Sequence, residues 1–118
     1  MGIQVIIPGA SPGNAAQATR DMGLPLRMVD SLPAFPDEPV PESFVEIRVA
    51  AATGMISIQS GVEGLTLVVW GNADLPLLEK TGQLAARLAR LAEGVVLAAG
   101  KKWDVAGWEE AGFPLQGS

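Results

Sequence analysis

The sequence predicts an α+β domain built on a mainly antiparallel sheet with its helices packed on one face, a variant of the ferredoxin-like plait. Three segments between Phe44 and Trp70 alternate apolar and polar residues and are joined by short glycine-containing turns, the pattern of half-buried strands in a three-strand meander. Leu77, Thr81, Leu84, Leu88 and Leu91 recur at spacings of four and three, which puts one apolar stripe on a long helix. Hydrophobic residues make up 48% of the 118 residues, enough for one buried core, so residues 1–118 read as a single domain.

Taken in order, Ile3 to Ile7 is β-branched apart from Gln4 and is stopped by Pro8-Gly9, which reads as a buried strand. Asn14 is placed to cap a short helix over Ala15 to Met22 that Gly23 ends. Leu24 to Val29 fits a short edge strand. It opens a proline-rich surface segment, residues 24–42, carrying Pro25, Pro33, Pro36, Pro39 and Pro41, whose missing amide donors favour extended geometry.

Phe44 to Val49 alternates with Val45, Ile47 and Val49 on one side and Glu46 and Arg48 on the other. Met55 to Ser60 repeats the pattern, and Leu65 to Trp70 places Trp70 opposite Leu65, Leu67 and Val69. Asp74 caps the long helix, which Gly94 ends. Gly82 inside it costs about 1 kcal/mol relative to alanine unless it lets the helix approach the sheet closely. Val95-Val96-Leu97 makes a short strand, Gly100-Lys101-Lys102 a polar turn, and Ala106 to Ala111 a last short helix. The tail from Phe113 to Ser118 reads as loosely held.

Every apolar run is broken well before the ~18 residues that span a bilayer. The start of the chain has no basic stretch ahead of a long apolar one, so the expectation is a cytoplasmic protein. Zero cysteine excludes disulfides, thiol catalysis and sulfur-ligated metals. With no histidine either, only carboxylate metal sites remain, and no calcium-loop spacing is present. The expectation is no cofactor and no metal. The formal charge of −5 repels nucleic acid and anionic lipid; a basic protein partner is the electrostatically easier one.

One enzyme-like motif stands out. Gly9-Ala10-Ser11-Pro12-Gly13 matches the G-x-S-x-G nucleophile elbow between a strand and a helix. An elbow serine needs a base, normally histidine, and the chain has none. The residue after it should supply an oxyanion-hole amide, and Pro12 has no N–H. The same loop offers a second reading, a phosphate cradle for a small-molecule or nucleotide ligand using Gly9, Ser11, Gly13 and Asn14, but the G-x-G-x-x-G order and a Walker lysine are missing. The acidic pairs Asp37-Glu38 and Glu109-Glu110 read as solvated surface. No catalytic residue is assigned, and the chain is read as a non-enzyme.

Binding is the remaining class. Phe35-Pro36-Asp37-Glu38-Pro39-Val40-Pro41-Glu42 combines an apolar ring with three carboxylates on a pre-extended backbone, suited to a basic protein surface. It can also be read as a connecting loop whose prolines lower unfolded-state entropy. Tryptophan is enriched at binding hot spots, which adds Trp70, Trp103 and Trp108 to Phe35, Asp37, Glu38 and Glu42 as candidate partner contacts. Core packing is the competing role for each tryptophan.

The stretch Leu84 to Trp103, L-A-A-R-L-A-R-L-A-E-G-V-V-L-A-A-G-K-K-W, resembles the C-terminal part of small bacterial α+β immunity proteins of polymorphic or contact-dependent toxin systems. It carries Ala98 and Ala99 where an acidic residue usually follows the strand. The resemblance implies a stoichiometric inhibitor or antitoxin that neutralises a toxin domain. An assembly or secretion chaperone subunit is a further reading.

Overall fold

A computed structural model describes residues 2–70 and 72–115. Among these, three helices accompany an eight-stranded sheet, in the order β3-β2-β4-β5-β6-β1-β7-β8, in which every neighbouring pair is antiparallel. The strands are β1 (Gly2–Pro8), β2 (Leu26–Val29), β3 (Leu32–Pro33), β4 (Glu46–Ala51), β5 (Gly54–Gly61), β6 (Gly64–Trp70), β7 (Val96–Ala98) and β8 (Lys101–Trp103). The helices are α1 (Pro12–Met22), α2 (Leu75–Leu91) and α3 (Val105–Glu110).

Pairing register turns the period-two pattern into two different sheet faces. Ile47, Ile58, Leu67, Val5 and Ala98 are partners in sequence across β4, β5, β6, β1 and β7, and all five are buried. This row lies on the helix side, where α2 presents Leu77, Leu84, Ala85 and Leu88. The α1 helix lays Ala15 and Ala18 against α2, and α3 packs on α2 through Trp108. Residues one position along face away from the helices. Glu46, Gln59, Thr66, Ile6, Leu97 and Lys102 form one such row, and Arg48, Ser57, Val68 and Gln4 the next.

Several sequence expectations are corrected. The cap of α1 is Ser11, not Asn14: Ser11 Oγ accepts from the Asn14 N–H at 3.2 Å and Asn14 Oδ1 accepts from the Ser11 N–H at 2.9 Å. This reciprocal capping box starts the helix three residues earlier, with Pro12 in its first turn, where its missing N–H is harmless. Leu24 to Val29 is not an edge strand. The chain turns back at Asp30 (φ 49°) and Ser31 (φ 71°), two consecutive left-handed residues that match hairpin twist, and β3 pairs outside β2. Val45 does not join the inward row. It precedes β4 and is 73% exposed, its N–H bound by Asp30 Oδ1 at 2.8 Å.

At the other end, Lys101 and Lys102 belong to β8 and not to a turn; two lysines on an outermost strand discourage further pairing. Gly82 does permit a close approach, but to the C-terminal segment: a Cβ there would overlap Phe113. Phe113 is therefore packed, and Leu115 is buried, contrary to a loose tail; residues 116–118 lie outside the described residues, as do Met1 and Gly71. Leu91, the last member of the α2 stripe, is 38% exposed.

Candidate partner-binding site

The residues singled out from sequence separate into three places. Phe35, Asp37, Glu38 and Glu42 share the proline segment and are all exposed. Trp70 stands on the sheet face away from the helices. Trp103 and Trp108 lie at the C-terminal end, where their rings meet edge-on at 6.3 Å.

The proline segment is pinned at both ends. Ala34 donates its N–H to the Arg27 carbonyl at 2.9 Å, continuing the β2–β3 pairing, and Val40 and Phe44 pack on the core. Between these anchors the Glu38 N–H closes a turn on the Phe35 carbonyl at 3.0 Å. That turn holds the Phe35 side chain out at 71% exposure. Leu32 and Val45 are also exposed, and Asp30 ties the β2–β3 hairpin to the start of β4 through Val45 and Glu46. Among the described residues the ion pairs are Arg48–Glu46, Arg87–Asp21 and Arg90–Glu109. The carboxylates of Asp37, Glu38 and Glu42 take part in none of them. Pro36 and Pro39 lean toward the C-terminal end of α1 and frame a cleft of about 490 Å³ with Arg20 and Leu24.

Trp108 is fully buried, and its indole N–H donates to the Gly82 carbonyl at 2.9 Å. It is a core residue and offers nothing to a partner, which corrects its place among the candidate contacts. Trp103 is half-buried, with its Nε1 unpartnered among the described residues and the Lys101 Nζ 5.7 Å from its ring centroid. Trp70 alone of the three is largely exposed, at 63%.

The Gly9–Asn14 loop spends its polar groups on structure. Ser11 and Asn14 are committed to the α1 cap, the Gly9 N–H to the Glu63 carbonyl at 2.9 Å and the Ala10 N–H to the Ile7 carbonyl. Gly13 sits in the first turn of α1. A serine hydroxyl that accepts from a cap amide is oriented for the helix, not for attack.

Sequence reasoning missed a polar network on the helix-free face. Glu46 accepts from Ser57 Oγ at 2.6 Å and from Gln59 Nε2 at 3.2 Å, and its second oxygen lies 3.6 Å from Arg48 Nε. The Ser57 hydroxyl, aided by Gln59 and Arg48 and opposed by partial burial, lowers the Glu46 pKa below its ordinary value. Beyond Arg48, Asp74 accepts from the Thr53 hydroxyl at 2.5 Å and the Leu77 N–H at 3.2 Å, and these bonds, the Thr53 one foremost, lower its pKa as well. The signal was available in the alternation, since Glu46, Arg48, Ser57, Gln59 and Trp70 all fall on the polar phase of adjacent strands.

Among the described residues no cluster of three or more carboxylates is arranged to hold a metal ion, and no helix is long and apolar enough to cross a membrane. Comparison with protein-family models, with curated proteins and with solved structures finds no match.

Proposed function

We propose that this chain is a non-catalytic protein-binding module that docks a basic protein surface through the acidic corner around Phe35. The observation that carries the reading is the pairing of an exposed phenyl ring, fixed by a closed turn, with three exposed carboxylates that form no ion pair among the described residues. An apolar anchor ringed by unspent charge suits recognition of a complementary cationic patch. Because the segment is anchored at Ala34 and Val40, little backbone freedom is lost on docking.

Within this reading, an immunity-type inhibitor or antitoxin that neutralises a basic toxin domain by stoichiometric binding is the specific form we favour, acting in the cytoplasm. The likeness of Leu84–Trp103 to such proteins supports it. We also read the sheet as a ferredoxin-like variant in which the meander β4–β6 stands between β1 and β2; the strand order and the α1 and α2 crossovers support this.

The test is site-specific photo-crosslinking in the source cell. A benzophenone amino acid replaces Phe35 in one strain and Leu75, exposed at the start of α2, in another. One dominant protein adduct with a basic partner from position 35, absent from position 75 and reduced by added salt, is expected. Equal adducts from both positions, or nucleic acid as the captured species, would overturn the proposal.

A further inference from the structure

The helix-free sheet face carries a second feature, centred on β4, β5 and β6 and not on the turn that exposes Phe35. A cleft of about 240 Å³ opens where the β4–β5 turn meets the start of α2, lined by Arg48, Ser57, Val68, Trp70, Thr53 and Asn72. The volume suits one planar side-chain-sized group, not a nucleotide. Trp70 stands in it at 63% exposure and Met55 at 44%, an apolar wall facing solvent.

The charges in this cleft are unequally spent. Both oxygens of Glu46 are engaged, by Ser57, by Gln59 and by the Nε side of Arg48. Asp74 is occupied by Thr53 and by the Leu77 N–H, at a helix N-terminus whose dipole offsets its charge. The Arg48 guanidinium is different: its approach to Glu46 is through Nε, and no described residue accepts a hydrogen bond from its terminal nitrogens. The free edge of a guanidinium presents two parallel N–H donors, the geometry a carboxylate accepts in bidentate fashion.

We infer that this cleft binds a carboxylate carried on an apolar, preferably aromatic, body, with the acid on Arg48 and the ring against Trp70. Such a group is found on free aromatic acids and at the C-terminus of a peptide ending in an aromatic residue. Lysine would not replace Arg48, because a point charge lacks the paired donors.

The experiment follows the Trp70 indole N–H by two-dimensional NMR during titration with 3-phenylpropionate, with its uncharged amide, and with acetyl-Gly-Phe as free acid and as C-terminal amide. Saturable shifts of Trp70 with the acids and not the amides are expected. Arg48→Gln should weaken binding by tenfold or more on the scale of charge-assisted hydrogen bonds, and Arg48→Lys should restore little of it. The indole signals of Trp103 and Trp108 report whether each variant is folded, and Trp70→Leu, followed through the backbone amides of Ser57 and Val68 in the same cleft, should also weaken binding. Stronger binding of the peptide acid assigns the cleft to chain termini; equal or weaker binding assigns it to free acids. Amides that bind as well as acids, or acids whose binding ignores Arg48, would overturn the inference. Neither result bears on position 35, so the two proposals fail separately.

Discussion

Trp108 and Gly82 are joined by a buried hydrogen bond, indole N–H to carbonyl at 2.9 Å, and that bond fastens α3 to the middle of α2. The glycine serves this contact twice, since its missing side chain is also the space that Phe113 fills. The Trp108 and Phe113 ring centroids lie 6.2 Å apart, so the three residues form one joint.

Gly82→Ala tests the joint by a reversal of sign. In an exposed helix the change would stabilise by about 1 kcal/mol, but here the new methyl overlaps Phe113, and overpacking of this kind costs about 1–3 kcal/mol. The variant is expected to unfold at lower urea concentration than the parent. In a Phe113→Ala background the clash is gone, and Gly82→Ala should become neutral or stabilising. Destabilisation of the same size in both backgrounds would show that Phe113 is not what the glycine accommodates.

Trp108→Ala removes both the hydrogen bond and a fully buried ring, and is expected to cost about 3–5 kcal/mol in urea unfolding. Trp108→Phe keeps much of the packing and loses mainly the bond, for about 1 kcal/mol. A Phe variant as unstable as the Ala variant would mean that the indole geometry, not its apolar bulk, holds α3.

This joint was only partly legible in the sequence, for a physical reason. The alternation that exposed β4, β5 and β6 works because one sheet face is buried, so Ile47, Ile58 and Leu67 announce themselves by period. No such period marks Phe113, whose burial depends on a gap left by a residue 31 positions away. The same limit hid β8, where two lysines on an outermost strand look like a turn, and β3, where Pro33 masks a two-residue pairing. The start of α1 was misplaced because Ser11 and Asn14 are both competent caps; Pro12 in the first turn is what favours Ser11. At the surface, the phase of β6 puts Trp70 opposite Leu65, Leu67 and Val69, whereas the alternation of β4 gives only the face of Arg48; register is what sets it opposite Ser57, itself paired with Val68.

Ser11→Ala separates the cap from the nucleophile reading of the same residue. Loss of the cap is expected to lower stability by about 1 kcal/mol and to speed amide exchange in the first turns of α1, while Ser11→Gly costs only a few tenths. An unchanged stability would show that the capping box does not contribute as its geometry implies.

Acid should weaken the fold partly through Glu46. Its carboxyl titrates below the ordinary value of 4.5 when folded, chiefly because the Ser57 hydroxyl favours the charged form. Between the lowered and the ordinary pKa the unfolded chain therefore binds more protons. The stabilisation is full above the ordinary value and is lost as pH falls through the folded one. Urea midpoints measured from neutral pH to pH 3 should drop for the parent, and drop less steeply for Glu46→Gln and Ser57→Ala. Parallel curves for all three would exclude the network as a source of acid sensitivity.

The acidic corner makes the opposite kind of prediction, in which stability and binding part company. Phe35 is exposed and the Asp37 and Glu38 carboxylates form no ion pair among the described residues, so Phe35→Ala and the double change Asp37→Lys with Glu38→Lys should each leave unfolding within about 0.5 kcal/mol of the parent. Both should nevertheless abolish co-purification of the partner crosslinked at position 35. They should do so differently: removing the ring takes away an anchor and speeds dissociation, whereas reversing the charges slows association and removes its dependence on salt. Association rates measured at two ionic strengths distinguish them. If charge reversal leaves both the rate and its salt dependence unchanged, the partner is not held by a basic surface. If both variants also destabilise the fold, the segment is a structural brace, and its prolines serve the folded chain alone.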